Sequence, residues 1–452
     1  MIPEFTDGFF KINSQYGFLP IHDPLERLSS IYDSIQNLLD TLPDRIRHLQ
    51  QEQLEQGIEN LGNFLEKIQQ ENDIFLIAAL YRSYCFLSSA YLLFPSHVHN
   101  VLKNVDNENK QYGRAYSTLP KQLAEPLLYL ADRLHVFPWL EYSFGYSLGN
   151  YVRIDPSGGL DYTNLRMANR FIGTSDETGF IMVHVDINQH TPQLIESCNQ
   201  VLDAWGVENP RSALDFVDSV LKCMNESRKK MWTASRWEHY NDFRVFIMGI
   251  QGNKQLFPEG VIYEPENKPR FYRGQSGSQD TIIPFLDNFF RVLDFYPNND
   301  LTRYLFDMRQ YRPKPFRDLL EWVSDHTKNI IPWILSHDDC WPVLFSIYRE
   351  IYFFRNGHWQ FVQKYIMANT KYPIATGGTP ITTWLPNQIT AVLYASRHVL
   401  DSVPVDKRTV QWIEYDIEII ERMELVQKQV NILLDPEYNV EKILNTNKVP
   451  NG

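Results

Sequence analysis

Over residues 347–365 the chain reads IYREIYFFRNGHWQFVQKY, and Ile347, Ile351, Phe354, His358, Phe361 and Tyr365 recur at alternating steps of four and three. That spacing sets all six on one face of an α-helix. One imidazole, His358, therefore emerges from an apolar wall, with Arg355 one turn earlier near the same face. A glycine-rich loop, ATGGTP (375–380), follows. A haem pocket needs an imidazole for the iron, a wall to cover the porphyrin and a cation to meet a propionate. The same pattern also describes a satisfied core histidine. That is the commoner fate of a lone histidine on an apolar face, and haem ligation leaves no spacing code like that of paired cysteines.

The 452 residues allow two or three domains, although large helical proteins often form one body around a cofactor. Aromatic residues are 14% of the chain, enough to line a large flat cavity or simply to fill a core. A net charge of −12 with no Lys/Arg-rich run argues against nucleic-acid and anionic-membrane partners. Cys85, Cys198, Cys223 and Cys340 are far apart and form no CxxC, so neither a zinc knuckle nor an iron–sulfur cluster is signalled. The N-terminal stretch lacks a basic region followed by an apolar core, and no unbroken apolar run approaches membrane-spanning length. These features point to a cytoplasmic protein with reduced cysteines and no transmembrane helix.

Residues 1–24 read as an extended arm, with a helix starting near Leu25. Residues 25–95 are helical in pattern, with one stripe at Leu28, Ile31, Ile35, Leu38 and Leu39 and another at Leu76, Ala79, Leu80, Tyr84 and Leu87. Residues 104–113 are a polar break. Pro138 predicts a new helix or a sharp bend ahead of residues 139–148. YVRIDPSGGLDYTNL (151–165) carries turn residues and the pattern of a short strand pair. Asp176 and Glu177 suit the first turn of a helix running on from about Gly179. Long helices are expected over 211–250, a functional loop over 252–280, and helices over 300–325, 336–368 and 388–435, with a frayed end.

The order of motifs resembles the indoleamine 2,3-dioxygenase family over most of the chain. The matching pieces are YGFLPIHDPLERL, GFIMVHV, FRVFIMGIQGN, VIYE…RGQSGSQ, YLFDMRQYRPKPFRDLL and RNGHWQFVQKYI, followed by ATGGTP. The resemblance implies an all-α fold, with a smaller N-terminal cap domain (1–155) over a larger helical haem domain (156–452). It also implies haem b, ferrous for activity, and insertion of both atoms of dioxygen into the indole C2–C3 bond of tryptophan or a substituted indole amine. The product would be of the N-formylkynurenine type. The partners are a small aromatic substrate and dioxygen; the oligomeric state is open, with a monomer favoured.

By the same resemblance, His358 matches the iron ligand, and its other ring nitrogen needs a partner to fix the tautomer. Arg355 and Asp287 match a cation and an acid beside a propionate, where an ordinary ion pair would look the same. Arg244 matches the clamp on the substrate carboxylate, a task suited to a bidentate guanidinium. Phe180 matches an aromatic against the indole. Gly274, Ser276 and Gly277 would run over the haem edge and substrate, and Thr376 would touch the substrate ammonium from a mobile lid.

Two departures bear on the chemistry. His184 falls where vertebrate members have a small hydroxyl residue, while the related tryptophan 2,3-dioxygenases place a distal histidine at the indole N–H; His184 is thus a candidate catalytic hydrogen-bond partner. His239 and Tyr240 stand where two phenylalanines usually precede the clamping arginine, so a polar substituent on the indole becomes possible. The fold also hosts other chemistry, including a rearrangement in pyrrolnitrin biosynthesis. A haem enzyme of secondary metabolism, a non-catalytic haem or gas binder, and a helical interaction protein without haem are the competing readings.

Overall fold

The computed structural model describes residues 1–103, 112–368, 374–378 and 381–434. It is all-α, with a few two- and three-residue strands. The N-terminal third holds α1 (Asp33–Arg47), α2 (Gln51–Glu59), α3 (Leu65–Ile68), α4 (Ile74–Lys103) and α5 (Lys121–Arg133). Then come α6 (Ser175–Asn188), α7 (Thr191–Ala204), α8 (Arg211–Lys229), α9 (Met231–Ala234) and α10 (Tyr240–Arg244). The last part holds α11 (Ile282–Phe289), α12 (Asp300–Arg309), α13 (Lys314–His326), α14 (Ile330–Leu335), α15 (Trp341–Phe361), α16 (Ile381–Ser402) and α17 (Val410–Leu434).

The first helix begins at Asp33 rather than near Leu25, and the run expected over 25–95 is cut into four helices. Short non-helical stretches at 48–50, 60–64 and 69–73, each carrying Asn or Gln, supply the breaks. By composition α4 is long and apolar enough to cross a bilayer, yet 89% of its most apolar stretch is buried in this fold. Its serines and tyrosines interrupt the apolar run without exposing it, which is why the sequence did not show it. The pair over 151–165 forms: Tyr151–Arg153 runs antiparallel to Leu165–Met167. Beyond Pro138 there is no regular α-helix but a π-helical turn, Tyr142–Tyr146. It is capped by Glu141, whose carboxylate accepts from the Ser143 and Gly145 amides.

α6 starts where its cap dictates. Thr174 accepts from the Glu177 amide, and Asp176 and Glu177 occupy the first turn. The loop over 252–280 is not structureless. Val261–Tyr263 pairs parallel with Thr118–Leu119 and antiparallel with Pro269–Arg270. The long helices expected over 211–250 stop at Lys229, and short α and 3-10 turns take over to Ile247. Most of the 104–113 break and the C-terminal end lie outside the described residues.

α15 is the centre of the larger helical layer and packs against both α8 and α16. The N-terminal arm reaches the same body. Phe10 and Phe18 meet Phe316 of α13, and the Phe18 amide donates to the Thr191 hydroxyl of α7.

Candidate active site

α15 buries Ile347, Ile351 and Phe361 as their spacing requires. It then opens into a π-helical turn, Val362–Met367, of the kind that gathers at functional sites. His358 looks from this helix into a cavity of two contiguous lobes. Both are walled in part by His184, Met231, Gly277, His358, Phe361, Trp384 and Leu385.

The His358 ring makes no hydrogen bond among the described residues. Burial, helped by the nearby His184 and Arg228, lowers its pKa to about 4, so the imidazole is neutral at physiological pH with a free lone pair. Among the described residues no three His, Cys, Asp or Glu side chains gather to hold an ion by themselves. One neutral imidazole in an apolar lobe suits a cofactor that brings its own four ring nitrogens. Ile283, Pro284, Leu305 and Phe354 supply the apolar wall of that first lobe.

At the edge of the first lobe Arg355 donates from Nη2 to Asp287 Oδ2 (2.5 Å) and also meets the Tyr296 hydroxyl. Tyr296 donates to the same Asp287 oxygen (2.9 Å), and Arg355 Nη1 donates to the Gln388 carbonyl. Both ion-pair partners are buried and line the lobe. Burial pushes the Asp287 carboxyl up, against the pull of Arg355 and Arg309. Among the described residues Arg355 Nε and Asp287 Oδ1 have no hydrogen-bond partner. A buried charge pair with one unused donor and one unused acceptor is built to meet something further.

His184 stands on α6 one turn after Phe180. Its Nδ1 lies 3.0 Å from the Phe180 carbonyl, which can only accept, so Nδ1 carries the hydrogen. In the neutral ring Nε2 is then the acceptor, and it points into the cavity. A Cβ built on Gly277 would lie 3.7 Å from His184 Nε2 and 4.0 Å from His358 Cε1, so the two imidazoles flank one glycine. Burial lowers the His184 pKa against the charge of Asp280.

Behind His184, Tyr142 (2.7 Å) and Asn188 (2.8 Å) both donate to Asp280 Oδ2, and all three line the lobe. None of the three is among the candidate site residues named from the sequence. Asn188 is four residues beyond His184 on the same helix face, a signal the spacing did contain. Asp280 closes the RGQSGSQD segment. Arg228, another missed lining residue, carried no signal in its polar stretch.

The second lobe has an aromatic wall. Phe180 lies 4.7 Å from the Tyr240 ring and packs near Tyr365, with Ser276, Gly277 and Thr376 opposite. Burial raises the Tyr240 pKa to about 12, opposed by Arg244. Arg244 itself is fully buried but lines neither lobe; its Nη2 donates to the Ile374 carbonyl (2.7 Å).

Two expected residues fall outside the cavity. His239 ends a 3-10 turn with its side chain 42% exposed and its Nδ1 2.9 Å from Asp242, so it faces solvent rather than a substrate. Gly274 lies behind the wall, where three backbones cross. A Cβ there would strike the Gly249 amide and the Thr376 carbonyl, and the Gly249 amide donates to that carbonyl (2.9 Å). Its glycine serves the close approach, not a cofactor. Of the ATGGTP loop, Thr376 to Gly378 are held by this crossing and by Arg273 and Tyr304, which donate to the Gly377 carbonyl. Thr379 and Pro380 lie outside the described residues.

The family model described as indoleamine 2,3-dioxygenase matches residues 7–383. Among similar proteins, indoleamine 2,3-dioxygenase 1 of Rattus norvegicus is 27% identical over 207 residues, covering 45% of this chain. The chain spans 50% of that rat relative's length, and 63% of the mouse protein of the same name. Indoleamine 2,3-dioxygenase of Saccharomyces cerevisiae is 24% identical, covering 80% of each chain. A 6-hydroxytryptophan 2,3-dioxygenase of Fusarium equiseti is 25% identical, covering 70% of this chain and 73% of its own.

Proposed function

This chain belongs to the indoleamine 2,3-dioxygenase family, and on that premise we propose that it is a haem-dependent dioxygenase acting on tryptophan or a substituted indole amine. The observation that carries the reading is the pair of imidazoles across Gly277. One is neutral and, among the described residues, without a hydrogen bond, on the wall of an apolar lobe; the other presents an acceptor nitrogen in the lining of an aromatic lobe.

When bound, ferrous haem b supplies the activation of dioxygen whose two atoms enter the indole C2–C3 bond. The chain's own residues do the rest. His358 holds the iron, and the Arg355–Asp287–Tyr296 cluster offers its unused donor and acceptor at the lobe's edge. Phe180, Tyr240 and Tyr365 grip the indole ring and exclude water from it. His184 Nε2 accepts the indole N–H, with the tautomer fixed by the Phe180 carbonyl. Arg244, one layer behind Tyr240, takes the substrate carboxylate when it leaves the Ile374 carbonyl. The division into a cap (1–155) and a catalytic body (156–452) belongs to this proposal, with Tyr142 of the first meeting His358 of the second at one cavity.

A hydroxylated indole is the second reading. The Tyr142–Asn188–Asp280 group beside His184 offers polar partners that a purely apolar wall lacks, and the Fusarium relative is named for 6-hydroxytryptophan.

The test is turnover by the haem-loaded, reduced protein with L-tryptophan or 6-hydroxytryptophan in air, read by mass spectrometry. A product heavier by two oxygen atoms, lost together with the Soret band in His358→Ala, is the expected result. A Soret band with no oxygenated product would sink the dioxygenase reading in favour of a haem binder.

A further inference from the structure

Arg228 stands near the end of α8, the helix packed against α15, and is only 7% exposed. Its Nε donates to Asn225 Oδ1 (3.2 Å), and Asn225 passes the contact on, donating from Nδ2 to Glu350 Oε2 (2.9 Å) and to the Glu350 carbonyl (3.0 Å). An amide, not a carboxylate, therefore holds the guanidinium. Its charge is not cancelled by direct contact, unlike that of Arg355, which is paired with Asp287.

The guanidinium lies across Gly357. A Cβ on that residue would collide with Nη1, so a side chain there would evict the arginine. The guanidinium carbon is also 5.7 Å from the centre of the Phe361 ring. Gly357 and Phe361 bracket His358 on α15, and Arg228 lines the same lobe as His358. Neither Nη makes a hydrogen bond among the described residues. A buried cation with no direct ion pair among the described residues, its charge met only at a distance by Glu226 and Glu350, thus stands in the wall from which the candidate iron ligand projects.

We infer that Arg228 is a positioning residue for charge: acting across Gly357 on the haem held by His358, it favours the ferrous over the ferric state. The inference rests on the haem reading above. Ferric haem takes up one electron to become ferrous and loses one unit of positive charge. A fixed cation disfavours the more positive, oxidised form. At an effective dielectric of ~20, a unit charge ~12 Å from a redox centre shifts such an equilibrium roughly tenfold. Burial keeps this effect from being screened by salt.

The experiment is a spectroelectrochemical titration of the haem-loaded full chain, in which an electrode supplies the electron. At a fixed potential near the wild-type midpoint, Arg228→Met, of similar length without the charge, is expected to lower the ferrous-to-ferric ratio about tenfold. That is about 59 mV for a one-electron couple. Arg228→Lys is expected to stay within about threefold of wild type. If Arg228→Met does not fold, Arg228→Gln gives the same reading with a polar neutral side chain. An unchanged ratio in the neutral variants overturns the inference, as does an equal shift in Arg228→Lys, which would make the effect one of packing. An unchanged midpoint with faster haem loss overturns it too, since Arg228 would then be gripping a carboxylate of the cofactor. Failure of the haem reading looks different: no Soret band in the wild type, or one that survives in His358→Ala, and it removes this inference as well.

Discussion

The two sides of the cavity are built in different ways. The side that carries His358, Arg355, Asp287 and His184 is made of helices of 21, 8 and 14 residues (α15, α11 and α6). The side that carries Tyr240, Ser276 and Thr376, with Arg244 buried off the lobe, is made of turns of three to five residues and crossing loops. On a long helix a residue's direction follows from its number, because the period is fixed over many turns. On a run of short turns each junction resets the direction. A residue one step away can face the opposite side, as Tyr240 and His239 do. The first wall is a rigid mount; the second takes its shape from tertiary contacts.

The comparison breaks most visibly at the helical mount. Replacing Asp287 by Asn leaves Arg355 buried beside a neutral group. Breaking a buried pair in this way is expected to destabilise the protein by about 3–5 kcal/mol, measured by denaturant unfolding of the cofactor-free chain. A loss under about 1 kcal/mol would mean that the mount does not depend on its ion pair.

Next in size is His184→Ala. Losing one hydrogen bond made to the indole N–H is expected to lower kcat/KM for tryptophan by roughly tenfold to a hundredfold, with little change for N1-methyltryptophan. Equal losses on both substrates would make His184 a packing residue.

A third test uses pH. Burial holds His358 below its unfolded pKa, so the unfolded chain binds the extra proton first. The stability His358 contributes is therefore present above about pH 6.5 and lost as the pH falls toward about 4. His358→Phe should flatten that acid-side slope in cofactor-free protein, and an unchanged slope would contradict the assignment. The smallest effect belongs to the turn-built wall: His239→Ala should change kcat/KM by less than about twofold, because its ring meets Asp242 and solvent.

The same contrast explains what could be read from the chain. The steps of four and three around His358 describe α15 correctly, and Arg355 falls on its lobe-facing side. Asp176 and Glu177 mark the first turn of α6, which starts at Ser175, four residues before the expected Gly179, and α6 then aims Phe180 and His184 into the cavity. His239 and Gly274 were misplaced because their surroundings are set by a 3-10 turn and by a backbone crossing, neither of which has a period. Arg228 was invisible for another reason. Only the packing of α8 on α15 turns one cation of a polar helix end inward, and its seat exists because Gly357 has no side chain.

The crossing of three backbones at Gly249, Gly274 and Thr376 has a mechanical consequence. The Gly249 amide holds the Thr376 carbonyl, and the next two amides, of Ile250 and Gln251, both reach the Tyr272 carbonyl (2.8 Å each). The Thr376 segment, more than a hundred residues further along the chain, is thereby riveted to the other two at one point, directly beside the aromatic lobe. Because the three segments share these hydrogen bonds and close backbone contacts, the turn-built wall is tied together as one panel rather than standing as three independent loops.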